Sequence, residues 1–388
     1  MAVKIGIYNE PSGSSIGGCE ASVAVLAEAL SDDHDVSIIH HRKCLTIETL
    51  ADFSRTNLAN VRLQYVQDVP YSFGTSHNIS RRYREARRWG AELSQGYDLF
   101  INFTHHVPPF CYAGKGVLVI LFPFDELPYQ QSQENSSSLA AFFKRSYHKW
   151  EWKKRMDSYQ QRVSNSQFTR EWTTLRWAID SEVIYSPVDT EFRSVDKNQM
   201  ILSVGRFATE GHSKNQLNMM FAFRDLVRNE LKGWTYSCVG GLGGSSKDRE
   251  YFEQVLSLGR KCGANTRANV PQRCVKELYE KATIFWHAAG YEMKEHEPEL
   301  QEHFGKATVE AMAAGCIPVV FRGGGPMEVV EHGVNGFLWN TLDELKAYTA
   351  IIGRDETLRN RLSVAARARA QLFDRSIYVK RFRRLLGL

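Results

Sequence analysis

Two carboxylates frame a glycine in the stretch Glu302-His303-Phe304-Gly305-Lys306-Ala307-Thr308-Val309-Glu310, which runs directly into the apolar Ala311–Val320. Gly305 is a natural break before a helix running roughly from Lys306 to Ala314 and ending at Gly315. Glu302 then lies in the preceding loop, Glu310 lies inside the helix, and the helix N-terminus sits between them. Free backbone N–H groups and the positive end of the helix dipole make such a terminus an anion site. The backbone of Phe304–Ala307 can donate several hydrogen bonds to a diphosphate, with Phe304 walling the site and Gly305 admitting the ligand to the backbone. A carboxylate repels a diphosphate unless it faces a neutral, hydroxyl-rich part of the ligand. Glu302 against a sugar and Glu310 against a ribose would meet that condition, and the stretch then reads as a cradle for a nucleotide-sugar. Spacing alone favours the plainer reading, a charge at a helix N-terminus and a solvated helix face, because acid pairs are common.

Other candidate groups follow apolar runs. Arg206 and Lys214 lie in Ser203–Leu217, just after one such run. Arginine grips phosphate oxygens bidentately and lysine acts as a point charge, so the pair suits charge developing on a leaving diphosphate. Gly17 and Gly18 follow the first run and precede a helix, bringing a second helix N-terminus toward a phosphate; no G-x-G-x-x-G fingerprint is present. The glycine loop Cys238–Lys247 lacks the G-K-[ST] ending of a Walker A motif and reads as a flexible loop. Gly323–Gly325 reads as a turn. His105 and His106 stand beyond a first-half strand, where two neighbours on an extended segment cannot point the same way.

The elements that must position these groups alternate. Strand-like runs are Val3–Tyr8, Asp35–His40, Asp98–Phe103 and Val117–Phe122, then Met200–Gly205, Trp234–Gly240, Ala282–Ala288 and Cys316–Phe321. Helical patterns at Glu20–Leu30, Lys214–Glu230, Lys247–Arg260 and Val275–Lys281 separate them. Short, uniformly apolar strands alternating with helices are the pattern of parallel sheets covered on both faces. The pattern restarts near Met200 after the aperiodic Ile184–Gln199, which reads as a linker between two doubly wound domains facing each other across a cleft. Gln130–Ser138 reads as a surface loop.

The 388 residues suffice for two cores, and 43% hydrophobic with 24% charged residues is ordinary globular composition. No apolar run approaches the ~18 residues of a membrane span, and the N-terminal segment lacks the pattern of a secretory leader. Seven scattered cysteines without a C-x-x-C pair fit a reducing cytoplasm and give no zinc site. The net charge of +5 argues by itself for neither nucleic acid nor membrane.

The Glu302–Glu310 stretch, continued through Ala311–Trp339, closely resembles the E-x7-E signature of the retaining glycosyltransferases of family 4. The resemblance covers most of the second half and, more loosely, the first. It implies an α/β GT-B fold of two Rossmann-like domains: residues 1–190 on the acceptor side, 191–370 holding the donor, and a C-terminal helix, 371–388, crossing back. It implies that Glu302 contacts the donor sugar, Glu310 the ribose, and the Phe304–Lys306–Ala307 backbone the diphosphate. Arg206 and Lys214 match the family's basic pair across a loop lengthened by Glu210–Ser213. Gly17 and Gly18 match its double glycine, Val270 is the best candidate to read the base edge, and Glu328 falls where the family has an acid. The family's strand-end His is replaced by Leu121-Phe122-Pro123; His105, His106 or Asp125 substitutes for it, or the sugar contact differs. The implied mechanism retains anomeric configuration with a departing phosphate oxygen taking the acceptor proton, and it needs no divalent metal. The versions of "EHFG…VEAM" and "SVGRF" here look like those of mannosyltransferases, so GDP-mannose is the first donor expected, with UDP-sugars open. The acceptor expected is a glycan or a lipid-linked molecule, as in polysaccharide biosynthesis. Alternatives are a phosphorylase or epimerase on the same fold, or a non-catalytic nucleotide-sugar-binding subunit.

Two basic-aromatic stretches, Arg81–Gly90 and Phe142–Arg155, fit helices that touch a membrane surface, or solvated helices whose aromatics are core. No nucleic-acid-binding module is present. The expected location is the cytoplasm, with contact to the inner face of a membrane as an option.

Overall fold

The computed structural model describes residues 2–9, 16–67, 79–104, 107–124, 139–209, 213–293 and 297–388. The chain forms two compact units, Met1–Ile184 with Leu385–Leu388, and Tyr185–Arg384.

The first unit is built on seven parallel strands: β1 (Lys4–Asn9), β2 (Asp35–His40), β3 (Val61–Tyr65), β4 (Leu99–Thr104), β5 (Lys115–Ile120), β6 (Gln161–Ser164) and β7 (Glu182–Val183), in spatial order β3-β2-β1-β4-β5-β6-β7. Helices α1 (Gly18–Ser31), α2 (Ile47–Ser54), α3 (Ile79–Ser94), α4 (Leu139–Asp157) and α5 (Gln167–Trp177) connect them. The central strands are continuous apolar runs because both sheet faces are covered: Ile5, Ile7, Val36, Ile101 and Val117 are fully buried. Thr46 and Ser166 start α2 and α5 by accepting the backbone N–H three residues on.

The second unit repeats the plan with β8 (Asn198–Val204), β9 (Thr235–Gly240), β10 (Asn265–Ala268), β11 (Ala282–His287), β12 (Ile317–Phe321) and β13 (Phe337–Trp339), all parallel, in order β10-β9-β8-β11-β12-β13. Its helices are α6 (Gln216–Asn229), α7 (Ser246–Cys262), α8 (Gln272–Lys281), α9 (Lys306–Ala313), α10 (Pro326–Val329), α11 (Leu342–Arg354), α12 (Glu356–Ala370) and α13 (Arg375–Leu386). Every residue of β11 is buried. Its Trp286 is wholly enclosed and donates its indole N–H to Thr349 Oγ1 at 2.9 Å, which satisfies the polar tip of a core aromatic.

Two expected boundaries move. Ile184–Gln199 is not a free linker: from Tyr185 on it belongs to the second unit, where Val188 is buried and pairs with Asp374. Most of α13 also belongs to the second unit, and only Leu385–Leu388 belong to the first. There Lys115 Nζ donates to the carbonyls of Leu385 and Leu386, and Gln161 Nε2 donates to Leu385. Residues 130–138, read as a loop, lie outside the described residues.

Candidate functional site

In the second sheet the chain winds outward from β8 to β10, then returns to the other side of β8 with β11. The C-terminal ends of β8 and β11 therefore bracket the switch point, the place where open α/β sheets take ligands. The sequence builds this edge from glycine-rich turns. Gly205 stays tied to the end of β9 through its N–H to Val239 O, and Phe207 donates to Gly241 O. A Cβ at Gly240 would overlap the Gly205 carbonyl, so only glycine lets the two loops lie together. The buried Gln216, first residue of α6, donates to the carbonyls of Gly205 and Arg206 and accepts from Tyr251. Arg206 projects exposed from this fixed turn. The glycine loop after β9, expected to be flexible, is thus pinned at Gly240 and Gly241, and at Leu242 by Asn269 Oδ1. Val270 follows Asn269, a left-handed residue (φ 54°), and packs half-buried against the hydrophobic core of the second unit.

Glu302 occupies the loop before α9, and Gly305 caps that helix with φ 92°. Lys214 Nζ makes a short ion pair with Glu302 Oε2, and His287 Nε2 lies 3.0 Å from the same oxygen. Lys214 is thus brought beside Glu302, residues 88 apart in the chain. Of the lengthened loop ahead of it, residues 210–212 lie outside the described residues. Asn215, also left-handed (φ 51°), donates to the carbonyls of Ala288 and Tyr291 and locks the start of α6 to the loop after β11.

The Glu302 loop is backed by the three glycines after β12. Gly325 N donates to Glu302 O at 2.8 Å, and a Cβ at Gly324 (φ 61°) would overlap that same carbonyl oxygen. Gly323–Gly325 is a turn, as expected, and also the bed on which the acidic loop lies. Phe304 departs from expectation. Its side chain does not wall an open site: it is 3% exposed and packs between Tyr185 and Phe373. Burial, reinforced by Glu328, pushes the Tyr185 phenol up to about 12, so this backing stays neutral. The burial of the ring leaves only the backbone of Phe304 for the expected role. Lys306 and Ala307 form the first turn of α9, whose N–H groups the helix itself does not use, and Glu310 accepts from the Tyr279 hydroxyl at 3.1 Å.

In the first unit Gly17 is the N-cap of α1 and Gly18 its first residue. The Gly17 N–H is already taken by Glu20 Oε2 at 2.9 Å, and Glu20, 3% exposed, pairs with Arg42. That donor is therefore committed to a carboxylate. His105, His106 and Asp125 lie outside the described residues. The loop that resumes at Val107 is held from behind by a buried ion pair: Arg155, wholly enclosed, donates to Glu151 and to Pro108 O. Among the described residues no group of three or more His, Cys, Asp or Glu side chains is arranged to hold a metal ion.

Sequence reasoning missed His287. It is visible as a polar residue near the end of the run Ala282–Ala288, but nothing in the spacing says which side chain it meets. Arg155 was noticed only as part of a basic-aromatic stretch.

Two family models tile the chain: "Glycosyltransferase Family 4" over residues 16–192 and "Glycosyl transferases group 1" over residues 189–369. Among curated proteins, the GDP-Man:Man(3)GlcNAc(2)-PP-Dol alpha-1,2-mannosyltransferase of Dictyostelium discoideum is 27% identical over 189 residues, 45% of this chain and 35% of that one. The human protein of the same description is 26% identical over 231 residues, 54% and 42% of the two chains. The chain thus matches well under half the length of these relatives. Among solved structures, Anabaena HepE in complex with UDP and glucose superposes with a TM-score of 0.68 at 17% identity, covering 99% of both chains. A glycosyltransferase from Rickettsia africae gives 0.69 at 16% identity, covering 99% of this chain and 97% of that one. These likenesses show the fold, GT-B.

Proposed function

Because the chain belongs to glycosyltransferase family 4, with the group 1 domain in its second half, we propose that it is a retaining, metal-independent hexosyltransferase that moves mannose from GDP-mannose to a glycan or lipid-linked acceptor. The observation that carries this reading is the meeting of Lys214 and His287 on Glu302 at the switch point, beside the N-terminus of α9. In this reading the first turn of α9 and Arg206 take the diphosphate, Glu310 takes the ribose, and Glu302 orients the sugar. Positive charge at Arg206 and Lys214 stabilises the departing diphosphate. The sugar passes through an oxocarbenium-like state, the acceptor hydroxyl attacks from the leaving-group face, and a phosphate oxygen takes its proton. The choice of mannose is supported by the mannosyltransferase activity for which the curated relatives are named.

The test is a binding and turnover screen with GDP, UDP, ADP and their sugars, in the presence of a chelator, on the parent, Glu310→Ala and Arg206→Ala. A donor raises the melting temperature in proportion to its affinity. One nucleotide-sugar stabilising the parent but neither variant is the expected result. Equal binding by all three proteins, or by none, refutes the assignment.

The acceptor side of the proposal includes contact with an anionic bilayer on the cytoplasmic face. Helix α4 exposes Phe142 (57%), Phe143 (63%) and Trp150 (44%), with Lys149, Lys153 and Lys154 exposed on the same helix. Helix α3 packs against it through Tyr83, whose ring meets Tyr147 and Trp150, and adds exposed Arg81, Arg84, Arg87 and Arg88. Some of the aromatics are therefore core and some are not, and the exposed ones stand among cations, a combination that suits an anionic lipid surface. No helix among the described residues is long and apolar enough to cross a membrane. Cosedimentation with vesicles containing phosphatidylserine, lost in neutral vesicles and in Phe143→Ser/Trp150→Ser, is the expected outcome; equal binding to both lipids refutes it.

A further inference from the structure

Building on the nucleotide-sugar reading, we infer that His287 is a positioning residue: it fixes the carboxylate of Glu302 through one tautomer of its ring. His287 is the last residue of β11, 4% exposed, and its backbone is held in register by Val320 of β12. Its Nε2 lies 3.0 Å from Glu302 Oε2, the oxygen that also takes Lys214. An ionised carboxylate only accepts, so the proton of the His287–Glu302 bond belongs to the imidazole. The other ring nitrogen, Nδ1, is buried with no hydrogen-bond partner. A proton on Nδ1 would be a buried donor without an acceptor, so the ring that fits is neutral, with hydrogen on Nε2 and a bare Nδ1.

The two donors do different things. Lysine is a point charge on a flexible stem, which sets a distance but not an angle. The imidazole is rigid, buried and fixed to the end of a central strand. One donor leaves a carboxylate free to swing about its contact, and a second on the same oxygen sets its plane. With the Glu302 backbone held by Gly325, the carboxylate is then fixed at both ends before the sugar arrives. His287 touches neither donor nor acceptor in this arrangement and acts only through Glu302.

The experiment has two arms, both on the full chain. The first is a long-range imidazole 15N–1H correlation spectrum, with His287 assigned by its disappearance in His287→Gln. The expected result is a protonated Nε2 and an unprotonated Nδ1 in the parent, with the tautomer preference lost in Glu302→Ala. A proton on Nδ1, or a spectrum indifferent to Glu302→Ala, overturns the inference. This arm needs no substrate, so it stands even if the screen finds no nucleotide-sugar and the functional reading fails. The second arm is kinetic. His287→Phe keeps the bulk and removes the donor; His287→Gln retains an N–H of similar reach. The expected loss in kcat is about 10- to 100-fold for the Phe variant, with the affinity for nucleoside diphosphate unchanged, and most of the activity returns in the Gln variant. A Phe variant as active as the parent, or a Gln variant as poor as Phe, overturns the role while leaving the donor assignment intact. A Phe variant that fails to fold leaves the Gln variant and the spectrum to decide.

Discussion

Gly324→Ala tests whether the glycines after β12 set the position of the acidic loop. The substitution has two costs. Gly324 has φ 61°, and a side chain in left-handed backbone costs about 1–2 kcal/mol. The new Cβ would also overlap the Glu302 carbonyl oxygen and lie 3.2 Å from the carbonyl carbon. Relief of that overlap requires the loop to move by on the order of 1 Å, a displacement that costs about 100-fold in rate when it misplaces a catalytic group. Gly333→Ala separates the two costs, because Gly333 has φ 77° but no atom within 4 Å of the added Cβ. It should show only the backbone strain, a fall in melting temperature of about 2–4 °C per kcal/mol for a domain of this size. The assays are thermal unfolding of both variants, followed by donor turnover. Gly324→Ala should lose more stability than Gly333→Ala and about 100-fold in turnover, while Gly333→Ala turns over like the parent. If the two variants melt alike and both turn over normally, the glycine bed does not position Glu302.

Two further outcomes follow from buried charges. Arg155→Met strands the Glu151 carboxylate, 2% exposed, and removes the donor to Pro108 O; urea unfolding should show a loss of about 3–5 kcal/mol, much of it restored in Arg155→Met/Glu151→Leu. In the second unit, hydrogen bonds from Arg193 hold the Glu280 carboxyl below its ordinary value of 4.5. A depressed folded value stabilises above the unfolded one and is lost as pH falls through the folded one. The stability gap between parent and Glu280→Gln, read from urea midpoints, should therefore be full at neutral pH, begin to shrink near pH 4.5 and close below it; a gap that stays constant with pH contradicts the ion pair.

The central strands were legible because burial on both faces forces an unbroken apolar run. Asp35–His40 comes out as read, and the other seven shift by only one or two residues at an end. The strands that escaped notice are β3, β6, β7, β10 and β13. All five are short or lie at a sheet edge, and all but β13 carry polar residues, as in Asn265–Ala268 and Gln161–Ser164, which half-solvated positions tolerate. The start of α9 was legible for a local reason: Gly305 is a left-handed cap and Gly315 a left-handed stop (φ 82°).

By itself, then, the sequence determined the class of fold and the helix start that lies between the two glutamates. These are local facts, set by burial period and backbone freedom. Tertiary structure alone decided what each side chain meets. It turned the Phe304 ring inward, committed the Gly17 N–H to Glu20, and laid Gly324 under Glu302. It also joined a lysine after β8 and a histidine at the end of β11 on one carboxylate oxygen. Strands adjacent in this sheet are separated by whole helices in the chain. Such meetings are fixed by strand order, and no spacing in the sequence records strand order.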